Sequence, residues 1–150
     1  MNEVNPDFFE FIQNPEPRVP FVLLLDTSGP MNNHGRIQQL NAGLVNLIQD
    51  LMTDNLAKLR VEIAIVSFGG GVNILQDFVT AYQFVPPELQ AYGNAPMGLA
   101  IDTGLNLLKW RKQKYKTHGV AYFRPWMILI TRSEPTDAWQ AGAQRLHEAV

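Results

Sequence analysis

The sequence contains no cysteine, which excludes a disulfide framework and any thiolate-held metal centre. It has no apolar run near the roughly 20 residues of a membrane span. It also lacks a surplus of either charge: 12 Lys and Arg stand against 14 Asp and Glu, for a net charge of −2. Neither nucleic acid nor an anionic membrane is therefore expected as a partner. The opening Met1-Asn2-Glu3-Val4-Asn5-Pro6 lacks the basic-then-apolar order of a signal peptide, and a cytoplasmic location is expected. No internal repeat and no low-complexity tract interrupts the chain.

What is present is an ordinary globular composition. The 150 residues are 46% hydrophobic and 17% charged, enough for one domain with a real core. The run Phe21-Val22-Leu23-Leu24-Leu25 reads as a strand buried on both faces, and it ends abruptly in Asp26-Thr27-Ser28-Gly29-Pro30. In open α/β sheets ligands bind beyond the carboxyl ends of the strands. Asp26 and Ser28 are thus placed at the top of a central strand.

Residues 1–19, rich in proline and carrying Phe8, Phe9, Phe11 and Ile12, read as an irregular lead-in that packs on the domain. After strand one, Ile37, Leu40, Leu44, Leu47, Ile48 and Leu51 mark one helical face. Val61 to Phe68 is a β-branched and aromatic strand, and Gly69-Gly70-Gly71 reads as a flexible turn into a hairpin partner at Val72 to Val79. Pro86-Pro87 opens a loop to Gly98. Ile101, Leu105 and Leu108 then share a helix face. The basic run Lys109, Arg111, Lys112, Lys114 and Lys116, with Tyr115, His118 and Arg124 nearby, reads as solvated charge at a helix end. Trp126 to Thr131 is expected as a further buried strand, and Thr136 or Asp137 as the cap of a last helix. The order β-α-β-β-α-β-α predicts an α/β sandwich with a mainly parallel sheet and one antiparallel hairpin strand.

Asp26-Thr27-Ser28-Gly29-Pro30 after an apolar strand resembles the Asp-x-Ser-x-Ser motif of von Willebrand factor A (VWA) domains, which supplies ligands of a metal-ion-dependent adhesion site. The likeness covers roughly residues 17–150, and the domain it implies is residues 20–150. It is strongest to small bacterial VWA proteins of the tellurium-resistance-associated kind, through Pro20 to Gly29, Pro86-Pro87-Glu88-Leu89, Tyr122-Phe123-Arg124-Pro125-Trp126 and Glu134-Pro135-Thr136-Asp137. It implies a Rossmann-like three-layer sandwich. The family normally continues through two more strand–helix steps, so the domain is expected to be short at its C-terminal side. The strand at Trp126 to Thr131 would then have an open edge, inviting self-association or cover by residues 1–20.

The resemblance also implies where a metal site would be, and three of its positions depart from the family pattern. Pro30 replaces the last hydroxyl of the first motif. Ala95, in Gly93-Asn94-Ala95-Pro96-Met97-Gly98, replaces a threonine. Arg132, in Thr131-Arg132-Ser133, replaces an aspartate. Mg²⁺ takes about six oxygen ligands. Asp26 and Ser28 alone would hold it weakly, so no cofactor is expected. Arg132 is expected to stand beside Asp26 as a built-in cation.

Two enzymatic readings are weaker. Asp26 as a phosphotransferase nucleophile lacks a second Asp at position 28. Ser28 lacks the Gly-x-Ser-x-Gly elbow, and His34, His118 and His147 form no triad pattern. By resemblance, the expected function is non-enzymatic protein–protein interaction or scaffolding with a non-functional metal site. The partner would bind a top face of Thr27, Gly29, Asn94, Pro96, Ser133 and Glu134. The alternatives are an adhesion-type module keeping weak Mg²⁺ through Asp26 and Ser28, and an Asp26-dependent hydrolase or phosphotransferase.

Overall fold

The computed structural model describes residues 6–148. Its elements run α1 (Pro6–Gln13), β1 (Val19–Asp26), a 3-10 segment (Gly29–Gly35), α2 (Arg36–Thr53), the single turn α3 (Ala57–Arg60), β2 (Val61–Phe68), β3 (Val72–Thr80), α4 (Met97–Thr117), β4 (Trp126–Ile130) and α5 (Trp139–Glu148). One four-stranded sheet forms in the order β3-β2-β1-β4. β1 pairs in parallel with both β2 and β4, and β3 returns antiparallel along β2. The α/β architecture, with one antiparallel hairpin strand, is as the alternation of elements predicts.

The two faces of the sheet follow from the period of a strand. Leu23 and Leu25 of β1 and Ile63 and Ile65 of β2 face α2, where they meet Ile37, Leu40 and Leu44. Val22 and Leu24, with Ala64, Val66 and Phe68, face α4 and its Ala100, Ile101, Leu107 and Leu108. Gly104 lets α4 come close: a Cβ there would stand 3.0 Å from Leu24 and from Met127. Every residue of β2 is buried, which accounts for its nearly unbroken apolar run.

Three expectations need correction. Within the described residues, the lead-in is not irregular. Its α1 helix buries Phe11, whose ring lies 6.0 Å from Tyr115 and 5.4 Å from His118. Phe8 and the residues before it lie outside the described side chains. Next, β4 is not buried: it pairs with β1 on one side, has no strand on the other among the described residues, and leaves Trp126 59% and Leu129 40% exposed. The described part of the lead-in does not lie along its outer side. Finally, the basic run of α4 is not uniformly solvated, because Arg111 and Tyr115 are buried.

The reason lies at the lower end of the sheet. Glu62 of β2 is fully buried and accepts from Arg111 Nε at 2.8 Å and Nη2 at 2.7 Å, from Arg18 Nε at 3.2 Å, and from the Tyr115 hydroxyl. Phe11 lies between the two guanidinium groups, 5.4 Å from Arg18 and 5.3 Å from Arg111. Burial opposes the charge of Arg111, but the hydrogen bonds and charge of Glu62 prevail and hold it more firmly protonated than usual. Burial, and then the Glu62 charge, push the Tyr115 hydroxyl above its ordinary pKa. This network fastens α4, β2 and the segment before β1 to one another.

Candidate functional site

At the opposite, carboxyl end of the strands, β1 delivers Asp26 into a fully buried position. Its Oδ1 accepts from the Ser28 N–H at 2.9 Å and from Ser28 Oγ at 2.5 Å. Its Oδ2 accepts from Thr131 Oγ1 at 2.8 Å, Ser133 N–H at 3.2 Å and Arg132 N–H at 3.3 Å. Ser28 Oγ also meets Ser133 Oγ at 2.7 Å. Burial works against the carboxylate. The hydrogen bonds from Ser28, then those from Ser133 and Thr131, outweigh it and hold Asp26 below its ordinary pKa of 3.8.

The site is local in origin on one side and tertiary on the other. Asp26 and Ser28 form an Asx-type turn two residues long, which sequence alone signals. Thr131, Arg132 and Ser133 arrive because β4 runs parallel to β1, with Leu25 opposite Ile130. Both strands therefore end at the same height. The hydroxyls of Thr131 and Ser133 complete the cluster and were not singled out as its ligands by the sequence pattern.

Arg132 does not stand beside Asp26 as a cation. It reaches the carboxylate through its backbone N–H, and its exposed side chain lines a groove with Met31, His34 and Ile130. Among the described residues there is no ion pair between the two. The physical reason is that five protein donors already satisfy Asp26. The guanidinium is better hydrated outside.

The other positions divide by exposure. Thr27 is buried, so it does not belong to a top face. Its N–H donates to Phe68 O and its own carbonyl accepts from Tyr92 N–H. Ala95 is also buried, packed in the α4-side core. Pro30, Asn94 and Glu134 are exposed, and Gly29, Pro96 and Ser133 are half-buried around the same rim. The histidines do not gather with Asp26: His34 lines the groove by α2, His118 lies against Phe11, and His147 is on α5.

Two further devices stiffen this end. The three glycines are an interlocked turn and not a flexible one. A Cβ on Gly69 would lie 2.0 Å from Thr27 O, while Gly70 N–H donates to Asn94 O and Gly29 N–H to Gly93 O. Asp137, expected to cap its own helix, instead caps α4: its carboxylate accepts from Gly98 N–H at 2.8 Å and Leu99 N–H at 3.0 Å. Thr136 Oγ1 accepts from Ala95 N–H at 3.0 Å. The loop after β4 is thereby sewn to the start of α4.

Chemically the cluster offers one carboxylate and three hydroxyls, with both carboxylate oxygens already in use. Among the described residues, no three His, Cys, Asp or Glu side chains gather where they could hold a metal ion. An ion at Asp26 would have to displace protein donors.

No family model and no curated protein matches the sequence. Solved structures do match the fold. The pilus adhesin SpaC from Lactobacillus rhamnosus GG aligns with a TM-score of 0.63 at 20% identity, over 80% of this chain and 16% of that one. VWA2, the ArnB paralog from Sulfolobus acidocaldarius, aligns at 0.56 and 19%, over 81% of this chain and 29% of its own. The vWF domain of the type V pili tip protein Mfa5 from Porphyromonas gingivalis aligns at 0.53 and 20%, over 80% and 39%. This chain thus spans well under half the length of each. At these identities the likeness establishes a VWA-like fold. Among the described residues no helix is long and apolar enough to cross a membrane.

Proposed function

We propose that this is a non-enzymatic protein-interaction domain of VWA type whose metal position is closed by protein hydrogen bonds. One observation carries the reading: Asp26 is fully buried and both its oxygens accept from protein donors. A carboxylate without exposed surface has no line of attack on a phosphoester, which argues against the nucleophile. A carboxylate already saturated gains little from an ion, which argues against the adhesion-type Mg²⁺ site. The partner is a protein met at the rim of Gly29, Asn94, Pro96, Ser133 and Glu134. The similarity to domains of pilus adhesin and tip proteins supports this reading, as does the earlier resemblance to bacterial tellurium-resistance-associated proteins. The cytoplasmic assignment belongs to the same proposal and rests on composition.

The test is thermal unfolding with and without millimolar Mg²⁺ or Mn²⁺. Ligand binding to the folded state adds RT ln(1 + [L]/Kd) of stability. The expected result is an unchanged Tm for the chain, and a rise with metal once Pro30→Ser, Ala95→Thr and Arg132→Asp are combined. A metal-dependent rise in the unaltered chain, abolished by Asp26→Ala, would establish the adhesion-type alternative.

A further inference from the structure

The lower end of the sheet, remote from the Asp26 rim, holds a slot between two cations. Behind the slot, buried Glu62 draws together the guanidinium groups of Arg18 and Arg111, both buried themselves. In front, Phe11 of α1 fills the space between them, 5.4 Å from Arg18 and 5.3 Å from Arg111. Tyr115 and His118 of α4 add to the wall, their rings 6.0 and 5.4 Å from that of Phe11. Arg18, just ahead of β1, is fixed through its backbone: its N–H donates to Ala121 O at 2.9 Å, and its carbonyl accepts from Phe123 N–H at 2.8 Å. These wall residues come from β2, α4 and the start of β1. α1 supplies the occupant.

The charges of the slot favour an anionic occupant. Two guanidinium groups stand against the one carboxylate of Glu62. α1 brings a second carboxylate, Glu10, but at long range: it is 3.8 Å from Arg111 Nη2 and accepts from Thr80 Oγ1 at 3.4 Å. Lys114 and Asp77, of opposite sign, line the cavity that adjoins Arg111. Arg18 Nη2 is buried with no acceptor among the described residues, so the occupant leaves one donor of the slot unsatisfied.

α1 is also a weak helix by itself. It has eight residues, short of the roughly 12 that make an isolated helix marginal, and its Phe9 and Ile12 are exposed. The chain is fastened separately behind it. Asn14 Nδ2 donates to Leu59 O at 2.7 Å, and Glu16 pairs with Arg60 at 2.9 Å. Turning about Gln13 and Asn14 would thus lift α1 from the slot and leave β1 in place.

We propose that α1 is a releasable strap, and that the slot it vacates takes a segment of a partner protein in which an acidic residue directly precedes an aromatic one, the order of Glu10 and Phe11. The ring repeats the two cation–π contacts, and the carboxylate balances the second guanidinium. A second copy of this chain is the poorer source, because each α1 is tethered beside its own slot at a high effective concentration. This inference stands apart from the rim at Asp26, and either can fail without the other.

The probe is a fluorescein-labelled peptide of residues 6–14, Pro-Asp-Phe-Phe-Glu-Phe-Ile-Gln-Asn, read by anisotropy. Its controls are the same peptide with Glu10→Gln and with Phe11→Ala. The protein is the full chain, unaltered or carrying Phe11→Ala, which empties the slot without touching its wall. A resident strap lowers apparent affinity by the fraction of open molecules, so the variant should bind the peptide about tenfold or more tightly than the unaltered chain. Each control peptide should bind the variant about tenfold or more weakly than the parent peptide. In the unaltered chain, excess peptide should speed hydrogen exchange at the Asn14 amide, which donates to Glu10 O at 3.1 Å, and leave the amides of β1 unchanged. That measurement stands whether or not Phe11→Ala folds. Equal binding by the two chains, equal binding of the three peptides, or an unmoved Asn14 amide at saturation would overturn the proposal. A dimer of the unaltered chain, seen by light scattering and lost in Phe11→Ala, would overturn the choice of a partner protein in favour of a second copy.

Discussion

Replacing Asp26 by Asn measures how far the chain depends on this one carboxylate. The amide keeps one oxygen and must aim its NH₂ at one of two sets of donors. Turned toward the former Oδ2 side, it would face the N–H groups of Arg132 and Ser133, orphaning the first and leaving the second only Thr131 Oγ1 at 3.3 Å. Turned toward the Oδ1 side, it would face the Ser28 N–H and the Ser28 hydroxyl. The hydroxyl can rotate to accept; the backbone N–H cannot. The second arrangement is the cheaper. It leaves one buried N–H unsatisfied, at about 1–3 kcal/mol, and turns three charge-assisted bonds into neutral ones. Relief from burying a charge returns part of this. A net loss of about 2–4 kcal/mol is expected in urea unfolding at neutral pH, the same in EDTA and in Mg²⁺. The folded pKa of Asp26 lies below its ordinary 3.8. Its stabilisation is therefore present above the unfolded value and disappears as pH falls through the folded one. The gap between the two proteins should close on acidification below about pH 4. A loss under about 1 kcal/mol, or a gap that widens in acid, would refute the reasoning.

Other perturbations probe the frame. Glu62→Gln keeps the shape but leaves Arg18 buried without its counter-charge and Arg111 with only Glu10 at 3.8 Å, and should cost about 3–5 kcal/mol in urea unfolding. By contrast, Arg60→Gln removes a 2.9 Å pair with Glu16 that is about a third exposed, and should cost under about 1 kcal/mol. Gly69→Ala places a methyl on the Thr27 carbonyl and should lower Tm by several degrees, while Gly71→Ala, with open space around it, should not. Asp137→Ala should cost about 1 kcal/mol and speed hydrogen exchange at the amides of Gly98 and Leu99, far from the substitution in sequence.

Where the sequence was readable, the signal was local and periodic. The apolar runs of β1 and β2 and the spaced leucines of α2 follow from strand and helix periods, and the Asp26–Ser28 turn from two residues. What escaped was set by partners far along the chain. Asp137 precedes α5 and so resembles its cap, but parallel alignment of β4 with β1 brings it to the start of α4 instead. Arg111 looks like one cation in a solvated run. Its helical phase turns it, with Tyr115 four residues on, toward a glutamate on β2 that hydropathy marks as a mere interruption. Arg132 was placed correctly by register and wrongly by side chain, since its backbone N–H fills the role assigned to its guanidinium. Exposure of β4 was also hidden, because an apolar strand reads alike whether its neighbour is present or not.

The two polar clusters divide the work of holding the sheet, and the division bears on β4. Glu62 joins β2 to α4 and to the start of β1 at the lower end, so the strands β1 and β2 are fixed on both faces and at the base. β4 has no buried ion pair below among the described residues. Its attachments include the ladder to β1, the Arg18–Tyr122 bridge ahead of it, the stack of Trp126 on Phe21 at 6.2 Å, the packing of Met127 toward α4, and the bonds from Thr131, Arg132 and Ser133 to Asp26 just beyond it. Five paired residues and a half-exposed face leave little burial to hold a strand in register. The Asp26 cluster therefore acts on β4 as a clasp. It fixes the height at which Ile130 ends, opposite Leu25. A carboxylate saturated by protein donors suits that task better than one awaiting an ion, since its hold on β4 does not vary with metal concentration.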